Sequence, residues 1–175
     1  MTTKISPAFR KQFPDMAKRA EEAGITIQAA PGKRVNGMAV FFAEGNYQLT
    51  GYTRHADGRD VTLADTRKTI GNTIERIIEG RAKVAGLTVE QRFERCLDRL
   101  MVLKPRVNWV VSDHDFSGDE ALLASSFGGK FTGQIHLRGV GLVADAEWRE
   151  GEALETRRLM RASFEARGAK RRAAA

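Results

Sequence analysis

The sequence contains few of the residues that mark the specialised classes of protein. Its one cysteine, Cys96, excludes an internal disulfide bond, which favours a reducing compartment. Four prolines are too few for a proline-rich scaffold, and the seventeen glycines follow no collagen-like period. No apolar run approaches the roughly 18 residues that cross a membrane, and residues 1–10 lack the apolar stretch of a signal peptide. We therefore expect a cytoplasmic protein with no membrane partner.

The remaining composition is that of a globular protein. Of the 175 residues, 42% are hydrophobic and 29% are charged, which is close to average. This length suits one ordinary domain or two small ones. We expect one compact domain over residues 1–150, with sub-domains 1–86 and 87–150 as the alternative. A basic helix with a frayed tail is expected over residues 151–175.

The first predicted helix has a clear start. Ser6 is a typical N-cap residue, and Pro7 follows at the first helical position, where its missing N–H costs nothing. The apolar residues after it fall on one helical face. Pro14 either bends this helix or restarts it after a broken turn.

Three capping-box patterns predict further helix starts. They are Thr62 with Asp65, Thr88 with Gln91, and Ser117 with Glu120. The first two precede long apolar stripes at helical spacing. The third predicts a short helix that continues through Leu122 and Leu123.

Strands are predicted between the helices. The candidate ranges are 25–27, 38–42, 47–54, 107–111 and 131–137. Val140 to Val143 with Trp148 predict one more strand or a bent continuation of the last one. The range 107–111, around Trp109, has the composition of a buried strand. Because strands and helices come in separate runs, we expect an α+β fold, with small antiparallel sheets packed against several helices and an Arg-rich helical C-terminus.

The net charge is basic and lies at the two ends. The chain carries 29 Lys and Arg against 22 Asp and Glu, a net charge of +7, and 20 of the basic residues are Arg. Residues 1–34 and 149–175 each carry +4, whereas residues 35–148 carry −1. Arg presents a planar fork to phosphate, and a few neutralised phosphates give measurable affinity. This pattern favours a small protein that binds the phosphate backbone of DNA or RNA, largely without sequence specificity.

The candidate nucleic-acid contacts are the cations of these end segments and one strand. The densest cluster comprises Arg157, Arg158, Arg161, Arg167, Lys170, Arg171 and Arg172, and the weaker candidates are Lys11, Lys18 and Arg54. The alternative interpretation of the C-terminal cluster is a solvated helix face whose cations favour the helix macrodipole. The nucleic-acid hypothesis requires no cofactor and no catalytic residue.

Two other functions compete with nucleic-acid binding. The same cations would dock on an acidic partner protein, as in an accessory or inhibitory factor. Alternatively, the chain is a metal-dependent enzyme. On an extended segment Asp113 and Asp115 point the same way, and with His114 they offer ligands for a divalent cation. The competing explanation for these residues is a turn before a helix start.

Overall fold

The computed structural model describes residues 4–31, 38–42, 47–49, 62–105, 108–126, 128–149 and 153–173. The chain divides into two compact units, Met1–Arg81 and Ala82–Ala175. Within the described residues, helices and antiparallel sheets occur in separate runs along the chain, so the predicted α+β class is confirmed. None of the helices in these ranges combines the length and apolar character that a membrane crossing requires.

The first unit contains three helices and a three-stranded sheet among its described residues. Its elements are α1 (Pro7–Gln12), α2 (Pro14–Glu22), β1 (Ile27–Pro31), β2 (Met38–Phe42), β3 (Tyr47–Leu49) and α3 (Leu63–Val84), the last of which crosses into the second unit. The strands pair antiparallel in the order β1-β2-β3. The predicted strand over 47–54 is confirmed for residues 47–49, and residues 50–61 lie outside the described ranges.

The two prolines at the N-terminus set the helix boundaries. The hydroxyl oxygen of Ser6 accepts a hydrogen bond from the Phe9 N–H at 3.3 Å, and Pro7 occupies the first turn, as predicted. Pro14 restarts the helix, because α1 ends at Gln12 and α2 begins at Pro14 itself.

The capping box at the start of α3 is confirmed. The Thr62 N–H donates to the Asp65 carboxylate at 2.9 Å, and the Asp65 N–H donates to the Thr62 hydroxyl at 3.1 Å. The apolar stripe that follows is buried at Ile70, Ile74 and Ile77. Burial of this face, rather than helix propensity alone, stabilises a helix of this length.

The second unit is a four-stranded meander with a helix before it and a helix after it. Its elements are α4 (Val89–Val102), β4 (Val110–His114), β5 (Glu120–Ser126), β6 (Lys130–Leu137), β7 (Gly141–Arg149) and α5 (Ala153–Ala173). Neighbouring strands pair antiparallel in the order β4-β5-β6-β7. The capping box of Thr88 and Gln91 begins α4 as predicted.

Both helices of the second unit contribute to one hydrophobic core on one face of this sheet. The core residues are Phe93, Cys96, Leu97, Leu100, Ala121, Leu123, Ile135, Leu137, Val143, Ala144 and Met160. Gly133 of β6 lies under the ring of Trp148, and a Cβ at this position would stand 2.6 Å from Trp148 Cη2. Only glycine at residue 133 therefore allows this ring to pack on the sheet.

The short helix predicted after Ser117 is wrong, because residues 120–126 form β5. Gly118 adopts a φ of +86°, which the first turn of a helix does not contain, and the Ser117 hydroxyl accepts from the Asp119 N–H within a tight turn. Ala121 and Leu123 alternate into the core between paired strands. Pairing with the neighbouring strands β4 and β6 therefore outweighs the local capping pattern.

The strand predicted over 107–111 is confirmed at residues 110–111, but the prediction that it is buried is wrong, and residue 107 lies outside the described ranges. Strand β4 begins only at Val110, and Trp109 and Val110 are 62% and 67% exposed. Val111 pairs with the core residue Leu123 and shares its face, whereas Val110 points to the opposite, exposed face of the sheet. The apolar composition did not distinguish this edge strand from a central strand.

Candidate nucleic-acid interface

Helix α5 is fixed to the edge of the sheet and to α4. The Asp145 N–H, on edge strand β7, donates to the Ser163 hydroxyl at 3.0 Å. Arg157 pairs with Asp98 and Arg161 with Glu94, so α5 runs antiparallel to α4. The helix continues to Ala173, and the basic residues 170–172 therefore belong to it.

Four of the seven cations in the predicted C-terminal cluster pair with carboxylates of the chain. The pairs are Arg157 with Asp98 at 2.8 Å, Arg158 with Glu155, Arg161 with Glu94 at 2.9 Å, and Arg167 with Asp145 at 2.7 Å. The hydrogen bond from Arg167 lowers the pKa of Asp145 below its usual value, and the one from Arg158 does the same for Glu155. A phosphate that approached these arginines would meet the paired carboxylates, whose repulsion offsets much of the attraction.

The last turn of α5 differs from the rest of the helix. Among the described residues, Lys170, Arg171 and Arg172 form no ion pair with a carboxylate. Arg171 places its guanidinium carbon 5.9 Å from the centre of the Phe164 ring. Three cations within three positions therefore remain available to an anion, next to the negative end of the helix macrodipole, which they also stabilise.

A groove of about 580 Å³ lies between the start of α4 and the end of α5. Its apolar lining includes Phe93 and Phe164, whose rings stack with centres 4.2 Å apart and planes inclined by 15°. Its charged rim consists of Glu90, Glu94, Glu165, Arg161, Arg171 and Arg172. The groove therefore joins an aromatic surface to two of the three unpaired cations.

The weaker predicted contacts lie in the first unit. Lys11 is in the last turn of α1 and Lys18 is in α2, and both side chains are exposed. Arg10 and Arg19, beside them in sequence, pair with Glu21 and Glu75. The remaining predicted contact, Arg54, lies outside the described residues.

The predicted metal ligands do not converge. The Asp113 carboxylate lies 3.4 Å from Arg99 Nε, and Asp115 pairs with Arg99 Nη1 at 2.9 Å and with Arg95. Strand alternation turns His114 to the opposite face, across from Glu120. Among the described residues, no three His, Cys, Asp or Glu side chains are placed to hold a metal ion.

Instead, Asp113, Asp115 and Asp119 form ion pairs that hold the β4–β5 turn against one face of α4. Their partners are Arg92, Arg95 and Arg99, which we call the α4 arginine row. Asp119, almost fully buried, accepts from Arg92 Nε at 2.9 Å and from the Arg138 N–H at 2.9 Å. Although burial raises the pKa of Asp115, the hydrogen bond from Ser117 and the charges of Arg99 and Arg95 lower it overall. Burial lowers the pKa of His114, which favours the neutral ring.

The sequence reasoning missed this row, although its signal was present. Positions 92, 95 and 99 recur at the helical spacing that places side chains on one face.

Cys96, on the same helix, is buried in the core as predicted, and burial raises the pKa of its thiol to about 12. A thiol with this pKa stays protonated near neutral pH and is a poor nucleophile.

No protein-family model matches this chain, and no curated protein or solved structure does.

Proposed function

We propose that the protein binds the phosphate backbone of nucleic acid through the last turn of α5. The observation that carries this proposal is the contrast within one helix. The arginines from Arg157 to Arg167 are neutralised by carboxylates, whereas Lys170, Arg171 and Arg172 are not. The contact set on α5 is therefore smaller than the sequence predicted, and of the predicted α5 cations we include only these three.

The exposure of this turn supports the proposal, because Lys170 and Arg172 are exposed and Arg171 is half-buried. Long cationic side chains in a final helical turn can follow the spacing of successive phosphates, and each contact releases a condensed counterion. Nothing in this arrangement reads base edges in a groove, so we expect binding with little sequence preference. The affinity contributed by three contacts is modest and falls steeply with salt.

The test is the affinity of the full chain for labelled duplex and single-stranded DNA and RNA at low salt. The variant Lys170→Gln/Arg171→Gln/Arg172→Gln removes the unpaired cations. The matched control, Arg157→Gln/Arg158→Gln/Arg161→Gln, removes the same charge from paired positions of the same helix. We expect the first variant to lose about tenfold or more in affinity at low salt and the control to lose less than about threefold.

Two outcomes would overturn the proposal. One is the absence of binding to any of these nucleic acids at low salt. The other is an equal loss in both variants, which would assign the affinity to net charge rather than to this turn. A protein that the full chain retains from a nuclease-treated lysate through the same three residues, without nucleic-acid binding, would favour the acidic-partner function instead.

A further inference from the structure

The groove between α4 and α5 has an aromatic floor, which phosphate binding by the last turn of α5 does not use. Phe93 is the buried ring of the stacked pair, whereas Phe164 is half-buried and borders the groove. A ring supported from below by a parallel ring is a flat, rigid apolar surface. Such surfaces stack planar ligands at little conformational cost.

Two guanidinium groups converge at one end of this floor. Gly168 is buried in α5, and a Cβ placed on it would lie 3.4 Å from Arg172 Nη1 and 3.7 Å from Arg171 Nη2. Both groups therefore turn back toward the groove around a position that has no side chain. Two like charges brought together without a carboxylate partner form a site for an anion of high charge density, such as phosphate.

The rim contains acidic groups as well. Arg161 already binds both oxygens of Glu94, at 2.9 Å each, whereas Glu90 and Glu165 line the groove without a described ion pair. Carboxylates accept hydrogen bonds from the amino and imino groups of nucleobases. An aliphatic chain has an apolar body, but it has neither a donor for Glu90 and Glu165 nor a negative charge for Arg171 and Arg172.

From these three features we infer that the groove takes one unpaired base of a single-stranded nucleic acid. The base stacks on the face of Phe164 that the Arg171 guanidinium covers in the free protein, and Arg171 moves from the ring to bind the phosphate together with Arg172. This inference rests on the proposed function and adds a preference to it. Bases inside a duplex are stacked and paired, so a duplex reaches the cations but not the floor. The protein therefore binds single strands more tightly than duplexes of the same length.

The test compares the full chain with Phe164→Leu, which removes the ring but keeps an apolar side chain. The matched control is Phe131→Leu, which shortens another half-buried ring of the same unit, stacked on Trp148. We expect Phe164→Leu to lower the affinity for a single-stranded oligonucleotide by about tenfold, with duplex affinity within twofold of the wild type. Phe131→Leu leaves both affinities unchanged.

A second measurement is independent of any folding defect in the variant. With the unaltered protein, an oligonucleotide that carries abasic sites keeps its phosphates but has no base to insert, and we expect it to bind about tenfold more weakly than the intact strand. Equal affinity for the abasic and intact strands would overturn the inference while leaving the phosphate contacts in place. Failure of both single strand and duplex to bind would overturn the proposed function as well.

Discussion

The arginines of α4 and α5 are the same residue type at similar helical spacings, yet their environments differ. Those of the α4 arginine row turn inward to a largely buried turn, and the Arg92–Asp119 pair is 14% and 3% exposed. Those of α5 pair at the surface, where the Arg157–Asp98 side chains are 35% and 68% exposed. Among the described arginines and lysines of α4 and α5, only those in the last turn of α5 have no carboxylate partner. A cluster of arginines in a sequence therefore gives the number of positive charges but not the number available to a ligand.

The largest loss of stability is expected from removal of the buried Arg92–Asp119 ion pair of α4. Asp119→Ala leaves the Arg92 guanidinium without its carboxylate and the Arg138 N–H without its acceptor. Removal of one partner of a buried ion pair costs about 3–5 kcal/mol of unfolding free energy. Chemical denaturation followed by circular dichroism measures this loss. A loss below about 1 kcal/mol would show that the turn is not held by this pair.

An intermediate loss of unfolding free energy is expected at acidic pH. The pKa of Asp145 is lowered by the hydrogen bond from Arg167, and the pKa of Asp115 is also below its usual value. The unfolded chain therefore binds more protons than the folded one in acid. The stabilisation is complete above the unfolded pKa of about 4 and is lost as the pH falls through the lower folded values.

Denaturation at a series of pH values tests this expectation. The contribution of these two carboxylates to the unfolding free energy should be constant from about pH 5 to 7 and decline below about pH 4. In Asp145→Asn the decline should be shallower, because one titrating group is gone. A decline of unchanged steepness in that variant would show that the Arg167–Asp145 pair does not contribute.

The smallest loss of stability is expected from removal of the exposed Arg157–Asp98 ion pair of α5. Asp98→Ala removes the surface partner of Arg157 and serves as the control for Asp119→Ala. Exposed ion pairs contribute about 0–1 kcal/mol, since solvent and salt screen them. The same denaturation experiment should therefore show a change within that range. A loss as large as that of Asp119→Ala would remove the distinction between the two helices.

Local signals predicted much of the fold. Ser6 with Pro7, Thr62 with Asp65, and Thr88 with Gln91 begin helices because their hydrogen bonds lie within four residues of one another. The same kind of pattern failed at Ser117, where strand pairing and the positive φ of Gly118 decide the structure. Neither of those can be read from a four-residue window.

The site was less predictable than the fold. Helical spacing correctly placed the basic cluster on α5, but it could not show that Glu94 and Asp98, on another helix, neutralise part of it. The stacking of Phe93 on Phe164 joins two helices that are separated in sequence by the whole sheet. Contacts of this kind follow from the tertiary fold, and a single sequence gives no direct signal for them.

The dependence of nucleic-acid affinity on salt tests the distinction between paired and unpaired cations most directly. Each phosphate contact contributes about 0.9 to the slope of log affinity against log salt for duplex DNA. We expect Lys170→Gln/Arg171→Gln/Arg172→Gln to reduce the magnitude of that slope by about 2–3, and Arg157→Gln/Arg158→Gln/Arg161→Gln to reduce it by less than about 1. Equal reductions in the two variants would contradict the account.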